Sequence, residues 1–417
     1  MSVREPDVLI LGGGVIGLAC AHYLLQAGRS VHVLERGLVG AATSHGNCGT
    51  ITPSHAPPLA APGTLAKALR WMWRPDAPLY VKPRVDLELA AWMLRFAARC
   101  NARDWRRSTL ARATLLNASR GLIESLVREQ HLDCEFEASG LRYVYATPSA
   151  FETEVAGLEE LREFGIASEI LDGAALATDD PALLPGLAGA VHFPGDAHFR
   201  PEQFTAELAR IVRRHGGVVE EHVGVLSLDI TGGKVGSVST SAGERRGRDV
   251  LVALGPWSAP MLARHGIRLP IQPGKGYSQT YSRPALVPRV PMVLREHSVC
   301  VTAWESGFRL GSTMEFSGYD DSLNRTRLDA LERAARRYLH HPTGDQRREE
   351  WCGWRPMTVD DLPILGLAPR HDNLWLATGH GMMGMTLSAV SGRLMADLIS
   401  GAEPVVDPKP SSPQRFS

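Results

Sequence analysis

The sequence lacks the features that mark several classes of protein. Its six cysteines form no CxxC pair and no cluster with histidines at metal-ligand spacing, so neither a disulfide framework nor a metal site is expected. The longest apolar run, at residues 8–21, has 14 residues and contains four glycines, which is short of the roughly 20 residues that span a bilayer. No basic leader precedes this run, so no secretory signal peptide is expected.

An excess of charge of one sign is also missing. Lys and Arg together number 45, as do Asp and Glu, so the formal net charge is zero. A chain without net positive charge has no long-range attraction for polyanions, and no nucleic-acid partner is expected. The 417 residues are 44 % hydrophobic and 22 % charged, which is typical of a globular protein of two or three domains.

The first 35 residues predict a nucleotide-binding unit. Residues 7–11 form a buried-strand run, residues 15–26 have the apolar spacing of a helix, and residues 31–34 predict a second strand. A strand, helix and strand in this order favour a parallel sheet, because the crossover helix must cover one of its faces.

A glycine-rich turn with the pattern GxGxxG joins the first strand to the helix. Gly12 permits the tight turn, Gly14 lets backbone N–H groups approach a pyrophosphate, and Gly17 lets the helix pack on the strand. Glu35 ends the second strand and is placed to accept hydrogen bonds from a ribose, which argues against the 2′-phosphate of NADP. An accidental glycine-rich turn is the alternative, but the strands, helix and acid together favour a dinucleotide site. FAD and NAD share this fingerprint.

The rest of the chain predicts an α/β protein of two parts. Strands and helices alternate near both ends, whereas residues 291–316 alternate as antiparallel strands would. We therefore expect a Rossmann-type nucleotide-binding domain built from discontinuous segments, plus an α+β substrate domain with an antiparallel sheet. A second glycine-rich turn, GHGMMGMT at residues 379–386, precedes the last helix. Its backbone can approach a flat ring, with a turn that binds no ligand as the alternative.

Five motifs follow one another along the chain in a set order. They are the opening turn GGGVIG, TSHGNCG at residues 43–49, ALGPWS at 253–258, GWRPMTVD at 353–360 and the GHG turn at 379–381. In this order they resemble the D-amino-acid oxidase superfamily of flavoproteins, and within it the bacterial D-amino-acid dehydrogenases, from about residue 6 to residue 416. An NAD-dependent dehydrogenase, or a flavoprotein that acts through assembly with a partner, are the alternatives.

The resemblance implies that the nucleotide-binding domain holds FAD without a covalent bond. It implies an FAD-binding domain at 1–62, 197–258 and 351–405, a substrate domain at 63–196 and 259–350, and a tail at 406–417. The residues expected to bind the cofactor are Gly12, Gly14, Val15, Ile16, Gly17, Glu35, Arg36, Thr43, Ser44, Asn47, Cys48, Gly49, Val223, Gly255, Trp257, Arg355, Gly381, Met382, Met383, Gly384, Met385 and Thr386. For Val223, plain strand core is the alternative.

Three residues are expected to act on the substrate. The resemblance implies that Arg355 holds the substrate carboxylate, and a planar guanidinium can make two parallel charge-assisted hydrogen bonds to such a group. The Tyr277 hydroxyl is a second candidate donor to the same carboxylate, with core packing as its alternative. His380 is expected to contact the flavin or the substrate, with a loop histidine satisfied by its neighbours as the alternative.

Two departures from related oxidases bear on the chemistry. Gly353, rather than Cys352, matches the position at which sarcosine oxidases link the flavin covalently. Arg309 stands where such oxidases have the lysine associated with oxygen activation, which favours a dehydrogenase. An amine or imino-acid oxidase of the glycine or sarcosine oxidase type, using oxygen, remains the alternative.

The expected reaction is the dehydrogenation of a D-amino acid by hydride transfer from its α carbon to flavin N5. The loop at residues 46–63 more nearly resembles dehydrogenases of cyclic substrates such as D-proline and cis-4-hydroxy-D-proline. The expected electron acceptor is a quinone or an electron-transfer protein. The segment Trp71–Arg74 is a candidate for membrane or subunit docking, with core packing as the alternative. The expected location is the cytoplasm, either free or peripheral at the inner membrane.

Overall fold

The computed structural model describes residues 5–71 and 79–416. The docking segment proposed from the sequence, Trp71–Arg74, falls outside this description apart from the backbone of its first residue. Among the described residues, no helix combines the length and the apolarity needed to cross a bilayer.

The first sheet has six strands and is parallel except at one edge. Its order is 19-20-13-1-2-9, with only β19 and β20 antiparallel to each other. The strands are β1 (Val8–Leu11), β2 (Val31–Leu34), β9 (Val218–Glu220), β13 (Asp249–Val252), β19 (Ile364–Leu367) and β20 (Leu374–Thr378). All four residues of β1 are buried, as expected of a central strand covered on both faces.

Three helices belong to this sheet: α1 (Val15–Gln26), α7 (Pro201–Arg214) and α10 (Gly384–Ser400). The first and last helices pack closely, because a Cβ on Gly392 would lie 2.6 Å from the backbone carbon of Ala19. The two ends of the chain are therefore held together, and α1 and α10 bring their preceding turns close to one another.

The second sheet has nine strands and is mainly antiparallel. Eight follow the order 18-14-17-16-15-5-7-6, and β4 pairs with β17. The strands are β4 (Leu79–Val81), β5 (Leu141–Tyr145), β6 (Glu169–Asp172), β7 (Gly189–Phe193), β14 (Ile271–Tyr281), β15 (Met292–Leu294), β16 (Val299–Trp304), β17 (Gly307–Phe316) and β18 (Arg347–Thr358).

The remaining elements surround these two sheets. Two small sheets consist of β3 (Thr50–Ile51) with β8 (Ala197–His198), and of β10 (Val225–Thr231), β11 (Lys234–Thr240) and β12 (Gly243–Arg245). The other α-helices are α2 (Thr64–Trp71), α3 (Leu87–Arg99), α4 (Ala102–Gln130), α5 (Pro148–Arg162), α6 (Gly173–Asp179), α8 (Ser258–Ala263) and α9 (Arg325–Ala335). Short 3-10 helices lie at Pro53–His55, Gly255–Trp257, Lys409–Ser411 and Pro413–Phe416.

The observed architecture confirms the expected mixed α/β fold with one parallel and one antiparallel sheet. One part of the expected division differs from the sheet pairing. Residues 351–358 were assigned to the FAD-binding domain, but strand β18 pairs with β14 along its length in the nine-stranded sheet. The motif around Arg355 therefore lies on a strand of the nine-stranded sheet. The tail is tied to this region, since Arg415 makes an ion pair with Asp360 at 2.9 Å. The rest of the division stays a prediction.

Candidate active site

A single large cavity brings together most of the residues singled out in the sequence. Its volume is about 1280 Å³, and it is lined by the opening glycine turn, the loop at 43–49, the turn at 379–386 and part of the nine-stranded sheet. Every residue expected to bind the cofactor lines this cavity except Gly17. The structure thus places the opening and closing turns of the chain around one space.

The opening turn is built by close backbone contacts. Gly12 has φ +111°, and a Cβ there would lie 2.5 Å from the carbonyl oxygen of Ala253, which directly follows the neighbouring strand β13. Gly17 acts in packing rather than in lining, because its Cβ would lie 2.0 Å from the carbonyl oxygen of Gly12. Helix α1 therefore begins at the cavity wall, where its first N–H groups favour an anion.

Two side chains are fixed beside this helix start. The Ser44 hydroxyl accepts a hydrogen bond from the amide of Val15 at 3.1 Å. The Glu35 carboxylate accepts from the amides of Gly13 at 2.8 Å and Gly37 at 3.0 Å. Each carboxylate oxygen can accept a further hydrogen bond, so this arrangement is compatible with the ribose contact expected of Glu35.

Other residues of the expected set line the cavity beyond the ends of β2, β9 and β13. Val223 follows β9, and its amide donates to the Glu35 carbonyl at 2.8 Å. The Arg36 guanidinium lies 3.9 Å from the centre of the Trp257 ring, in a cation–π contact. Gly255, at φ +55°, accepts from the Thr378 hydroxyl through its carbonyl at 2.9 Å.

The loop at 43–49 is anchored by a buried arginine. Arg309 is fully buried and donates to the carbonyl of Asn47 at 2.7 Å and to the Thr280 hydroxyl at 2.9 Å. It also makes an ion pair with Glu202. Arg309 is therefore held in place by its own neighbours, one of which is an acidic partner.

The closing turn is held against the same loop and the second sheet. The Gly381 amide donates to the Pro356 carbonyl at 3.0 Å, and the Thr52 amide donates to the Thr386 hydroxyl at 3.2 Å. His380 lies 2.9 Å from the Ser391 hydroxyl, and burial lowers the pKa of this histidine to about 3. The ring is neutral at physiological pH, so His380 lines the cavity without supplying positive charge.

Arg355 lines the cavity from strand β18, where it pairs with Gly274 of β14. Its guanidinium covers Gly276, where a Cβ would lie 2.4 Å from Nη2. Nη1 donates to the Thr313 carbonyl at 2.6 Å, and no carboxylate of the described residues pairs with the guanidinium. Burial lowers its pKa to about 10, so the group remains charged at neutral pH. A charged guanidinium without an internal counterion is suited to bind a carboxylate from outside.

Tyr277 also lines the cavity. Its side chain is buried, and its hydroxyl donates to the Glu315 carboxylate at 3.0 Å. Successive residues of a strand point to opposite faces, so the Tyr277 side chain lies on the face opposite the one that Gly276 presents to Arg355. The expected contact of Tyr277 with the substrate stays a prediction.

Some residues of the cavity lie outside the expected set. Thr313 and Arg295 line it beside strands of the second sheet, and no local spacing indicates them. His55 also lines it and lies within the loop at residues 46–63.

Cys48, from the expected set, shares a hydrogen bond with Cys300 on β16, and that contact lowers the pKa of the Cys48 thiol.

The residues present fit FAD. An elongated cofactor with a pyrophosphate and a flat ring needs a helix start for its anion and a wide, mainly apolar space for its ring. The start of helix α1 lies at the cavity and suits the pyrophosphate. The turn at 379–386 and the nine-stranded sheet enclose a space that suits the ring.

Comparison with known proteins agrees with this geometry. A family model described as FAD dependent oxidoreductase matches residues 7–398. The chain is 35 % identical to a D-amino acid dehydrogenase of Chromohalobacter salexigens over 96 % of this chain and 97 % of that protein. It is 36 % identical to a D-amino acid dehydrogenase of Paramagnetospirillum magneticum over 94 % of this chain and 95 % of that protein.

Solved structures show the same fold at lower identity. Glycine oxidase from Geobacillus kaustophilus superimposes with a TM-score of 0.77 at 23 % identity, covering 98 % of each chain. L-proline dehydrogenase from P. horikoshii superimposes with a TM-score of 0.73 at 17 % identity, covering 99 % of this chain and 98 % of the other. Because the family model matches nearly the whole of this chain, the chain belongs to the family of FAD-dependent oxidoreductases.

Proposed function

We propose that the protein is an FAD-dependent D-amino-acid dehydrogenase in which Arg355 binds the substrate carboxylate. The observation that carries this proposal is a guanidinium that lines the cofactor cavity and has no carboxylate partner among the described residues. Relatives named D-amino acid dehydrogenase, similar over nearly the full chain, support the same reaction class. The D configuration rests on those relatives and not on a contact in this chain.

The titratable groups of the cavity favour a reaction without a general base. Glu35 is the only carboxylate among the described lining residues, and it lies at the opening turn. The cavity histidines His55 and His380 have pKa values lowered to about 3 by burial, so neither is a strong base. The protein therefore acts by orientation: Arg355 fixes the carboxylate, and the amine enters uncharged. When bound, FAD supplies the acceptor for the hydride of the substrate α carbon.

A cyclic substrate such as D-proline or cis-4-hydroxy-D-proline is the finer part of the proposal. Its support is the loop at residues 46–63, several of whose residues line the cavity. A secondary amine in a ring would leave as a cyclic imine, whereas a primary amine would leave as an imino acid that hydrolyses in water.

The test is flavin reduction by the holoenzyme under anaerobic conditions. D-proline, cis-4-hydroxy-D-proline and D-alanine are each mixed with the enzyme, beside their L enantiomers, and loss of the oxidised flavin absorbance is followed. Faster reduction by the D forms supports the proposal, and fastest reduction by the cyclic D forms supports the finer part. Equal rates for both enantiomers would contradict the assignment of configuration.

We also propose a quinone or an electron-transfer protein as the acceptor, rather than oxygen. The support is Arg309, which replaces the lysine of related oxidases and is locked to Glu202 and Asn47. Turnover with a dye acceptor should greatly exceed oxygen consumption in the same preparation. Comparable rates would favour an oxidase of the glycine or sarcosine type.

Peripheral contact with the inner membrane is part of the same proposal about the acceptor. One end of the cavity is apolar and is lined by Leu65, Leu79, Val81 and Phe96, which would suit the tail of a lipid quinone. Leu87 and Leu94 are exposed on the helix that carries Phe96. Flotation of the holoenzyme with vesicles of bacterial phospholipid is the measurement, and protein that stays at the bottom of the gradient contradicts the membrane contact.

A further inference from the structure

We propose that Arg295 donates a hydrogen bond to an oxygen on the ring or side chain of the substrate, so that the enzyme prefers a D-amino acid that carries a hydroxyl group. The inference rests on the proposed function, in which Arg355 binds the substrate carboxylate. It is carried by the exposure of the Arg295 side chain, by its partners and by its position relative to Arg355 across the nine-stranded sheet.

The side chain of Arg295 is accessible to a ligand. The residue lines the cavity, and 44 % of its side-chain surface is exposed. A guanidinium stays charged in proteins and has five N–H donors but no acceptor. The group that it binds in the cavity must therefore be an acceptor, such as a hydroxyl or carboxylate oxygen.

An aromatic ring holds Arg295 near the loop at residues 46–63. The guanidinium carbon of Arg295 lies 4.9 Å from the centre of the Tyr143 ring, in a cation–π contact. The ring of His55, which belongs to that loop and also lines the cavity, packs edge-on against the same tyrosine at 5.5 Å. Arg295 therefore lies beside the loop whose resemblance supports a cyclic substrate.

Strand pairing brings Arg295 within reach of a small molecule held by Arg355. Arg295 directly follows β15, and its carbonyl accepts from the amide of Ser298, which directly precedes β16. The first residue of β16 pairs with Ser312 on β17, next to Thr313, whose carbonyl accepts from Arg355 at 2.6 Å. Neighbouring strands lie about 4.8 Å apart, so two strand steps separate the backbones of residues 295 and 313 by about 10 Å. The Arg295 side chain and one small amino acid can together span that separation.

The two arginines differ in how their charge is balanced. Within the described part of the chain, Arg355 has no carboxylate partner. Arg295 has one, because its Nε lies 3.6 Å from Oε2 of Glu154, which balances the charge at a distance too long for a hydrogen bond. Arg355 therefore calls for an anionic oxygen, whereas a neutral oxygen suffices for Arg295.

A hydroxyl group meets the requirement at Arg295. Its oxygen can accept a hydrogen bond from the guanidinium and adds no negative charge beside Glu154. Of the cyclic candidates, cis-4-hydroxy-D-proline has such an oxygen on its ring and D-proline does not. A second carboxylate, as in D-glutamate, is the competing ligand, and it would be repelled by Glu154.

The test compares ligands that differ by one group, with the FAD-loaded enzyme. Cyclopentanecarboxylate and benzoate are the plain ligands, which carry a carboxylate alone. The hydroxy ligand is cis-3-hydroxycyclopentanecarboxylate, and the diacid is cis-cyclopentane-1,3-dicarboxylate. None of the four has an amine, so none can be oxidised to an imine, and binding is followed by the change in the flavin spectrum. KM and kcat are measured for cis-4-hydroxy-D-proline and D-proline.

Arg295→Met should weaken binding of the hydroxy ligand about tenfold, the lower end for a hydrogen bond to a charged group, because the side chain is partly exposed. Binding of the plain ligands should change much less. The KM of cis-4-hydroxy-D-proline should rise by a similar factor, while that of D-proline stays close to the wild-type value. Arg210→Met is the matched control, since Arg210 has a 46 % exposed side chain, pairs with Glu207 at 2.6 Å on helix α7 and is not among the cavity-lining residues described.

Two further variants separate ligand binding from folding and charge. Arg295→Met combined with Glu154→Met removes both charges, so no carboxylate loses its partner. It should lose the preference for the hydroxy ligand as the single variant does, with the flavin content of the wild type. Glu154→Gln leaves Arg295 without its counterion and should tighten binding of the diacid.

Several results would overturn the proposal. They are an unchanged preference for the hydroxy ligand in the single and double Arg295 variants, tighter binding of the diacid than of the hydroxy ligand by the wild type, and diacid binding that Glu154→Gln does not change. If no D-amino acid reduces the flavin but binding of the hydroxy ligand still depends on Arg295, the proposed function fails and the oxygen site stands.

Discussion

Arg355 and Arg309 lie on the same sheet, but their replacement by methionine should affect different properties. Arg309→Met should lower the stability of the fold, whereas Arg355→Met should lower the affinity for a carboxylate ligand. Arg309 donates to the carbonyl of Asn47 and the hydroxyl of Thr280, so its loss removes a buried donor from both. It also removes an ion-pair partner of Glu202, whose partly exposed carboxylate keeps an ion pair with Arg200 at 3.6 Å. Such a loss costs about 1.5–3 kcal/mol of unfolding free energy. For Arg355, the only partner oxygen among the described residues is the Thr313 carbonyl, so Arg355→Met should change stability by about 1 kcal/mol or less in either direction.

For ligand binding, Arg355→Met should have the larger effect of the two. A guanidinium fork makes two charge-assisted hydrogen bonds to a carboxylate, each worth roughly 1.5–3 kcal/mol, so Arg355→Met should lose about 3–6 kcal/mol of binding free energy. That corresponds to a rise of roughly a hundredfold to ten-thousandfold in the Kd of benzoate and in KM. Methionine has a similar length and no charge, so the flavin content of the variant should stay close to that of the wild type.

The assay pairs chemical unfolding of the holoenzyme with benzoate titration of the flavin spectrum. Arg355→Met should bind benzoate much more weakly with little change in its unfolding free energy. Arg309→Met should show a lower unfolding free energy. Two results would refute this prediction: loss of stability in Arg355→Met as large as in Arg309→Met, or benzoate binding within threefold of the wild type after Arg355 is replaced.

Three further outcomes are expected. Gly276→Ala should displace the Arg355 guanidinium, because the added Cβ would lie 2.4 Å from Nη2, and should weaken benzoate binding about tenfold or more with the flavin retained. Burial raises the pKa of Asp196 to about 7, so the fold is stabilised at low pH, where this carboxyl is protonated, and that stability is lost as pH rises toward 7. Asp196→Asn should lack this part of the pH dependence, which is on the order of 2–4 kcal/mol of unfolding free energy. Urea unfolding across that pH range is the measurement. Iodoacetamide should label Cys48 of the FAD-free protein before Cys134 in peptide mass spectrometry, because the hydrogen bond from Cys300 lowers the pKa of Cys48, whereas burial raises that of Cys134 to about 12; equal labelling would contradict this.

Local patterns in the sequence sufficed wherever one short segment carries the whole geometry. The opening strand, turn and helix are an example: Gly17 is needed because the carbonyl of Gly12 in the same unit approaches it, and the pattern of glycines predicts the turn. The approach of the Ala253 carbonyl to Gly12 comes from a distant part of the chain, and the segment alone does not show it. Apolar spacing likewise predicted helix α1 with the bounds observed. The expected cofactor residues lie in seven short segments, and all but Gly17 line one cavity.

The chain order of the motifs was enough to indicate the family, but it did not show on which face of a strand each side chain lies. Tyr277 is one residue from the glycine that Arg355 covers, and that single step places its hydroxyl on the opposite face, against Glu315. The bulge beside Thr313, whose carbonyl accepts from Arg355, arises from the pairing of two strands separated by more than 25 residues, and no motif indicates it.

The amino-acid sequence alone therefore determined the nucleotide-binding turn, the α/β class and the family, because each depends on contacts within short segments or on their order. Only the tertiary structure decided which partner each side chain has. Strand register and burial bring the Thr313 carbonyl to Arg355 and the Glu315 carboxylate to Tyr277. Neighbouring residues of a strand point to opposite faces of the sheet, so a shift of one position decides on which face a side chain can act.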